Sequence, residues 1–455
     1  MQFDTKHFIV LLLFYDKGAL LKTADILIHG CHILSMNNWD LMENGALAIK
    51  HGKITFVGKE SSATNIVADL KIDAGGKVAT PGLINCHTHV PMTLFRGIAE
   101  DQPLDRWLKE SIWPLEAKLK PTDVYAGALL GCLEMIKSGT TCFADTYFQE
   151  GMVARAVQES GLRAVLAEGI LEAENCLIGQ KTFRSSVHFV QEFNGFADGR
   201  VSVMLGPHAA YTCGSKLLRK VRGKASELDV GIHIHLAESR AMLKDFEKQH
   251  GSSEVEFLDR IGFLKGDVVA AHCVDLSDKD MHVLADRGVS VAHAPVSNMK
   301  LGLDAARIND LLRLGVNVGL GTDSPASNNT LDMFETMKFA SLIQKMICHD
   351  PSVLPAYEVL KMATINGAKA LGIENQVGSL EVGKKADIIL VDLSKPHLKP
   401  LHDLCASLVY SARGSDVDTV IVDGKILMQD RQVKTLDEKT VVEMAEKAAT
   451  DLLAR

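Results

Sequence analysis

The sequence predicts an α/β protein: a (β/α)8 barrel of the TIM type with a small β-sandwich domain built from both chain ends. Eight short apolar runs alternate with helical patterns through the middle of the chain, and β-rich segments with Gly or Asn turns flank them. The 455 residues suffice for a barrel of roughly 250 residues plus an appendage. Apolar runs without polar alternation indicate strands buried on both faces, as in a parallel sheet with crossover helices.

We expect four segments along the chain. Residues 1–20 form an N-terminal extension, 21–78 the first part of the small β domain, 79–374 the barrel, and 375–455 the second part of the small β domain with a C-terminal helix. The extension contains an apolar run at 8–15, which is shorter than the roughly 20 residues a bilayer span needs. No small-residue cleavage site follows the run, which argues against a signal peptide.

The individual elements follow from the same patterns. The flanking segments predict strands at 24–28, 31–36, 46–49 and 54–57, and again at 386–392 and 419–423. The barrel strands are predicted at 78–85, 140–144, 163–168, 201–206, 230–236, 267–271, 289–292 and 316–319. One helix between them begins at Pro121 and ends at Gly139, since proline suits a first helical turn and glycine the position after a last one.

Composition excludes several classes of protein. The net charge of −8 argues against a nucleic-acid partner, which a basic face would normally bind. With 47% apolar and 23% charged residues, the chain is neither disordered, collagen-like nor a coiled coil. The nine cysteines are scattered and contain no C-x-x-C, which is typical of a reduced, cytoplasmic protein. We expect no membrane partner.

Unusual polar residues stand where the predicted barrel strands end, which is where barrel enzymes carry their catalytic groups. His87 and His89 are two residues apart and therefore point to the same side of a strand. Together with His235 and Asp323 they predict a site for one divalent metal. Nitrogen and oxygen ligands without a thiolate favour Zn²⁺, with Fe²⁺, Mn²⁺ and Co²⁺ as competitors. Each residue alone has an ordinary structural explanation, and we interpret the deeper His233 as a core histidine.

Two further residues are candidates for proton transfer. Glu238 lies just beyond the strand of His235, where a carboxylate can carry protons between a nucleophile and a leaving group, although a lone loop glutamate usually faces solvent. His272 would face the same cavity and hold the attacking water. His293 and Asp145 are either structural or partners that orient a ligand. Cys86 and Cys273 point the other way and are interpreted as core residues.

Longer motifs make the sequence similar to a known family. They are P-G-L-I-N-C-H-T-H at 81–89, I-W-P-L-E at 112–116, G-P-H at 206–208, H-I-H-L-A-E at 233–238, S-N-M-K-L at 297–301, G-T-D at 321–323 and G-S-L-E-V-G-K-K-A-D at 378–387. Over residues 24–436 the chain resembles the amidohydrolase superfamily, and within it the 5-methylthioadenosine/S-adenosylhomocysteine deaminase group.

The resemblance implies a mononuclear metal held by His87, His89, His235 and Asp323. It implies that Glu238, His272 and Asp323 are catalytic, with Glu238 and Asp323 also contacting substrate. It adds two substrate-binding residues, Glu116 for the ribose hydroxyls and His208 for the adenine ring. Binuclear members present a lysine or another bridging ligand where this sequence has His208, which favours a single metal.

The implied activity is hydrolytic deamination of an adenosine-type nucleoside to the inosine-type product and ammonia. The family often has an arginine at the end of the third strand, where it holds the carboxylate of a homocysteine tail, and this sequence has Glu168 there. Because like charges repel, Glu168 predicts an uncharged 5′ group, as in 5-methylthioadenosine, adenosine or 5′-deoxyadenosine, rather than S-adenosylhomocysteine.

Two alternatives stay open at this point. A related mononuclear amidohydrolase could act on another aminated or chlorinated heterocycle, such as an s-triazine, guanine or a pterin. A catalytically silent binding module with the same fold is a different class, although neither a ligand nor Glu238 is missing. The expected partner is a small-molecule nucleoside, and we also expect a homo-oligomer.

Overall fold

The structure is a computed structural model that describes residues 22–37, 41–172 and 176–455. The extension expected at 1–20 lies outside these residues. Within the described ranges, no helix combines the length and the apolar character that crossing a bilayer requires.

The amino-terminal strands belong to the sheet of the small β domain. They are β1 (Lys22–Leu34), β2 (Leu41–Lys50), β3 (Lys53–Lys59), β4 (Ile66–Asp73) and β5 (Lys77–Pro81). The sequence predicts two strands at 24–28 and 31–36, whereas β1 is continuous. Gly30 adopts a φ of 75°, and the pairing with β2 shifts between His29 and Cys31. The glycine therefore forms a bulge within the strand and does not end it.

The middle of the chain forms the barrel. Its strands are β6 (Leu83–Thr88), β7 (Thr140–Tyr147), β8 (Arg163–Ile170), β9 (Val201–Val203), β10 (Gly206–Pro207), β11 (Ile232–Leu236), β12 (Val268–His272), β13 (Ser290–His293) and β14 (Val318–Leu320). The strands are parallel in two arcs, with β9 and β10 together filling one position. Bridges join the arcs at Leu205–Ile232 and at Thr88–Asp323. The predicted (β/α)8 architecture is confirmed.

The first predicted barrel run, 78–85, is wrong as a single strand. Its first half is β5, which belongs to the sheet of the small β domain, and only its second half is the barrel strand β6. The chain passes from one sheet to the other at Gly82, whose backbone N–H donates to the Asp387 carbonyl at 3.0 Å. A Cβ at Gly82 would lie 2.0 Å from Thr141 Oγ1, so a larger residue would not fit at this crossing.

The last strands of the chain complete the sheet of the small β domain. They are β15 (Ile388–Asp392), β16 (Val417–Val422), β17 (Lys425–Gln429) and β18 (Gln432–Val433). The nine strands run in the order β18-β17-β16-β15-β5-β1-β2-β3, with β4 beside β1. A buried ion pair ties this sheet to the barrel, since Arg163 Nε and Nη2 donate to the Asp387 carboxylate at 2.8 and 3.1 Å.

Helices cover the barrel. The predicted helix is confirmed as Pro121–Ser138 and ends at Gly139 with φ 85°. The helix expected at the C-terminal end is Glu438–Leu453, and it packs on Pro121–Ser138. In the described ranges, the other α-helices of five or more residues are Glu150–Ser160, Cys176–Phe193, Ser215–Leu228, Arg240–His250, Glu254–Arg260, Asp278–Arg287, Pro295–Lys300, Ile308–Arg313, Met333–Cys348, Ala356–Met362 and Ile365–Ala370. Residues 104–116 are also helical, with a wider π-helical turn at Trp107–Ile112.

Candidate active site

The four predicted metal ligands come together at the carboxyl ends of the barrel strands. His87 is the last but one residue of β6, and His89 follows that strand. His235 lies near the end of β11, and Asp323 follows β14. Asp323 Oδ1 lies 3.4 Å from His87 Nε2 and 3.3 Å from His89 Nε2. His89 Nε2 is 3.3 Å from His235 Nε2. We call these four side chains the ligand cage.

A second polar contact fixes each imidazole of the cage. His89 Nδ1 donates to the Thr146 carbonyl at 2.6 Å, and His235 Nδ1 donates to the His208 carbonyl at 2.9 Å. Because a carbonyl can only accept, Nδ1 carries the proton in both rings and each Nε2 keeps a lone pair toward the cage. His87 Nδ1 pairs with His233 Nε2 at 2.9 Å.

Asp323 is held in a comparable way. Its Oδ2 accepts from the Ser297 and Ser327 hydroxyls at 2.5 and 2.9 Å, so its Oδ1 remains for the cage. Burial opposes ionisation, but the contact with His87 and the neighbouring imidazoles keep the pKa of Asp323 well below its usual value. The carboxylate is therefore ionised and oriented.

The cage fits a divalent metal. Burial lowers the pKa of His87 to about 4 and that of His235 well below its usual value, so both rings are in the neutral form that binds metals. His87 Nε2 is buried without a hydrogen-bond partner among the described residues. Three imidazole nitrogens and one carboxylate oxygen are a donor set that suits Zn²⁺. These histidines and Asp323 could hold a metal ion.

The two predicted proton-transfer residues lie next to each other beside the cage. His272 Nε2 is 3.7 Å from Glu238 Oε1, and His272 Nδ1 donates to Asn298 Oδ1 at 3.0 Å. Burial raises the pKa of Glu238, while the Glu238 and Asp323 carboxylates raise the pKa of His272 against the effect of burial. A carboxyl group with a raised pKa next to an imidazole is suited to donate and accept protons near neutral pH.

Glu254 stabilises the backbone turn that precedes Glu238. The Ala237 N–H donates to Glu254 Oε2 at 2.9 Å, and Ala237 has a φ of 50°. Burial raises the pKa of Glu254 to about 7. The contact therefore holds the turn that points Glu238 into the site.

A cavity of about 460 Å³ opens in front of the cage. Its polar lining includes three cage residues and the other predicted site residues: His89, His235, Asp323, Glu238, His272, Glu116 and His208. One wall is apolar and consists of Leu104, Trp107, Leu108, Ile112 and Trp113. No Lys or Arg is present among the lining residues in the described ranges.

The predicted substrate-binding residues differ in their surroundings. Burial raises the pKa of Glu116, while the Tyr147 hydroxyl and His89 lower it. His208 Nδ1 lies 3.0 Å from Thr212 Oγ1, and burial lowers the pKa of His208 to about 4. The cavity thus combines a carboxyl group with a neutral imidazole.

The Glu168 carboxylate does not face the cavity, as the predicted repulsion of a charged 5′ group would require. Its carboxylate accepts from the backbone N–H groups of Gln149 and Glu150 at 3.3 and 2.8 Å, at the start of helix Glu150–Ser160. It is not among the residues that line the cavity. The predicted repulsion between Glu168 and a charged 5′ group is therefore wrong.

Several supporting residues were missed from the sequence. Asn298 and Ser297 lie in a motif used only for resemblance. His233, interpreted as a core histidine, is indeed buried, and the sequence does not show that it pairs with His87. Asp145, left open, accepts from Thr88 Oγ1 and Val90 N, both at 2.7 Å, and so holds the turn around His89. In each case the sequence shows a polar side chain near a strand end, but it does not identify the group which that side chain contacts.

Comparison with known proteins agrees with this geometry. The model of the amidohydrolase family matches residues 78–427. A 5′-deoxyadenosine deaminase of Methanosarcina mazei is 51% identical over 433 residues, which cover 95% of this chain and 99% of that relative. A 5-methylthioadenosine/S-adenosylhomocysteine deaminase of Desulforudis audaxviator is 48% identical over 429 residues, 94% of this chain and 99% of that relative. The crystal structure of an adenosine deaminase from Xanthomonas campestris with bound zinc has a TM-score of 0.92 at 33% identity, covering 95% of this chain and 100% of that one.

Proposed function

This chain belongs to the amidohydrolase family, and we propose that it is a metal-dependent deaminase that hydrolyses an adenosine-type nucleoside to the inosine-type product and ammonia. The observation that carries the proposal is the cavity itself. It joins a cage of three imidazoles and one carboxylate to Glu238, Glu116 and His208. The deaminases among the relatives extend over nearly the whole chain and support the same reaction.

The metal we propose is zinc, with Fe²⁺, Mn²⁺ and Co²⁺ as competitors. Zinc bound by His87, His89, His235 and Asp323 would acidify a water molecule and so supply the nucleophile for attack at C6. The donor set and the zinc in the Xanthomonas campestris enzyme support this choice.

The protons move through this chain's own residues. Asp323 receives the proton of the attacking water at Oδ1, because its Oδ2 is occupied by two serine hydroxyls. His272 holds the attacking water through Nε2, since Asn298 accepts from its Nδ1. Glu238, whose pKa burial raises, donates its proton to the ring nitrogen N1. It then takes the proton of the C6 hydroxyl as the carbonyl forms and passes it to the departing amine, which leaves as ammonia. The water proton held by Asp323 restores the neutral Glu238.

The rest of the cavity binds the nucleoside. Glu116 accepts hydrogen bonds from the ribose hydroxyls, and His208 contacts the adenine ring. The apolar wall and the lack of a lining Lys or Arg in the described ranges favour 5-methylthioadenosine, adenosine or 5′-deoxyadenosine over S-adenosylhomocysteine. A carboxylate brought there would lose hydration without gaining an ion pair.

The test is turnover of 5′-deoxyadenosine by the zinc-loaded protein. We expect the ultraviolet spectrum to change from adenine to hypoxanthine with one ammonia released per product, and activity to disappear on chelation and return with zinc. Full metal occupancy without turnover of any adenine nucleoside would contradict the proposal. In that case, turnover of an s-triazine, guanine or a pterin would support the other hydrolase, and none at all the silent binding module.

A cytoplasmic location and a homo-oligomeric state remain predictions. So does the division of the chain at residues 21, 79 and 375. Size-exclusion chromatography with light scattering measures the oligomeric state directly.

A further inference from the structure

We propose that Glu100, Lys300 and Asn329 form a latch that holds residues 96–116 closed over the bound nucleoside. We call residues 96–116 the cover segment. The inference rests on the proposed deaminase function, and it adds positioning residues that act on substrate affinity through the cover segment.

The cover segment supplies much of the cavity. Its helical part, 104–116, contributes the five residues of the apolar wall and also Glu116. Leu104, Trp107 and Ile112 are each at most 6% exposed and pack against the rest of the protein, whereas Trp113 is 39% exposed. Movement of the cover segment would displace the apolar wall and the proposed ribose-binding carboxylate together.

The latch joins the cover segment to the end of the helix Pro295–Lys300 and to the loop that contains Asn329. Lys300 Nζ lies 2.7 Å from Glu100 Oε2, and Asn329 Nδ2 donates to Glu100 Oε1 at 3.0 Å. Lys300 Nζ also donates to the Asn329 side-chain oxygen and to the Ala326 carbonyl, the latter at 3.3 Å. Both oxygens of Glu100 are therefore held by groups that follow β13 and β14, in the two chain segments that also supply the cavity-lining residues Leu301 and Ser324.

The surroundings of Glu100 indicate that its position needs such a restraint. The residues on either side, Ala99 and Asp101, have φ values of 61° and 58°, and Gly97 has 78°. For Ala99 this conformation costs about 1 kcal/mol or more, whereas aspartate and glycine adopt it more readily. Lys300 is adjacent to Leu301, which itself lines the cavity, so the latch connects directly to the site.

Other contacts of the cover segment do not replace the latch. The Arg96 guanidinium pairs with Glu134, but this contact anchors the beginning of the segment on helix Pro121–Ser138. Arg106 pairs with Glu110 inside the segment, and both side chains are more than half exposed. Apolar packing of Leu104, Trp107 and Ile112 also holds the cover, so loss of the latch should weaken closure without abolishing it.

The test compares Lys300→Met and Glu100→Gln with the wild-type zinc-loaded enzyme. If only the closed form binds nucleoside well, each variant should raise KM about fivefold, as expected for a partly buried ion pair, with kcat within twofold. The double variant should raise KM no further than one single variant, because both remove the same contact. Lys300→Arg should keep KM within twofold, and Arg106→Met, which breaks an ion pair inside the cover, is the matched control.

Tryptophan fluorescence gives a second readout that does not require turnover. Trp107 and Trp113 are two of the three tryptophans and both lie in the cover segment. Lys300→Met should make the fluorescence of the zinc-loaded, substrate-free enzyme more sensitive to acrylamide, and Arg106→Met should not.

Unchanged KM in both single variants overturns the latch, and so does a fall in kcat at constant KM, which a purely structural role predicts. If the wild type deaminates no adenine nucleoside, the proposed function fails. The acrylamide measurement then decides on the latch alone, and unchanged quenching in Lys300→Met overturns it.

Discussion

The ligand cage and the cover segment face each other across one cavity, but they are held in different ways. Every imidazole of the cage has a second polar contact, and its residues stand at or next to the ends of barrel strands. The cover segment is a helical loop held by apolar packing and a few polar contacts. The reacting groups thus stand on the barrel scaffold, whereas Glu116 and the apolar wall stand on a helical loop that makes few polar contacts with the rest of the protein.

The largest effect should come from the proton-transfer residue beside the cage. Glu238→Gln keeps the shape of the side chain but cannot transfer a proton, so kcat should fall about 1000-fold at unchanged metal content. Steady-state kinetics and metal analysis check both values. Glu110→Gln, on the exposed side of the cover segment, is the control, and a Glu238→Gln enzyme with more than a tenth of wild-type kcat would contradict the assignment.

The support behind His272 should have the next largest effect. Asn298→Ala leaves His272 Nδ1 without its acceptor, and loss of such an outer contact typically costs 10–100-fold, so we expect kcat to fall about 50-fold. Asn317→Ala, which removes a partly buried amide away from the site, should leave kcat unchanged. Equal kcat values in the two variants would show that Asn298 does not position His272.

The cover segment should affect binding more than chemistry. Glu116→Ala removes the proposed acceptor of the ribose hydroxyls, so KM for nucleosides should rise about 20-fold, since a hydrogen bond to a charged group contributes about 2 kcal/mol. Turnover of free adenine, which lacks the ribose, should hardly change. Nucleoside kinetics that match the wild type would remove Glu116 from the binding site.

Substrate choice should respond to a charge added to the apolar wall. Leu108→Arg gives the cavity a cation, so the kcat/KM ratio of S-adenosylhomocysteine to 5′-deoxyadenosine should rise about fivefold. Leu108→Met adds no charge and is the control. A ratio that changes equally in both variants would mean that shape, not charge, decides.

The smallest effect on activity is expected at Glu254, whose contribution is to stability. Burial raises its pKa to about 7, so the neutral form favours the folded state below about pH 4.5 and this stabilisation, up to about 3 kcal/mol, is lost as the pH rises through 7. Glu254→Gln imitates the neutral form and should melt at a higher temperature than the wild type at pH 8 but not at pH 5. A difference that is independent of pH would contradict the titration of Glu254.

The two regions also differ in how far the sequence predicts them. His87, His89, His235 and Asp323 could be assembled because parallel barrel strands present their carboxyl ends at one face, so position along the strand determines proximity. Glu100 and Lys300 are 200 residues apart, one in a loop and the other at the end of the helix Pro295–Lys300, and no periodicity relates them. Their pairing becomes visible only in three dimensions.

The errors have a related origin. Glu168 was placed correctly at a strand end, yet its carboxylate turns to two backbone N–H groups at the start of a helix and not to the cavity. Gly30 was interpreted as a turn, although a glycine with positive φ also permits a bulge within a strand. In both cases the local sequence pattern predicts where the residue lies along the chain, but not which backbone groups it contacts or pairs with.

The most direct measurement of the central claim is a competition between equal concentrations of 5′-deoxyadenosine and S-adenosylhomocysteine for the zinc-loaded enzyme. The ratio of the two inosine-type products equals the ratio of their kcat/KM values. Because the cage needs a metal to deaminate, we expect both nucleosides to react only when metal is bound. Because the apolar wall carries no cation, we expect 5′-deoxyadenosine to be preferred at least tenfold. Preferred deamination of S-adenosylhomocysteine, or no product from either nucleoside at full metal occupancy, would contradict it.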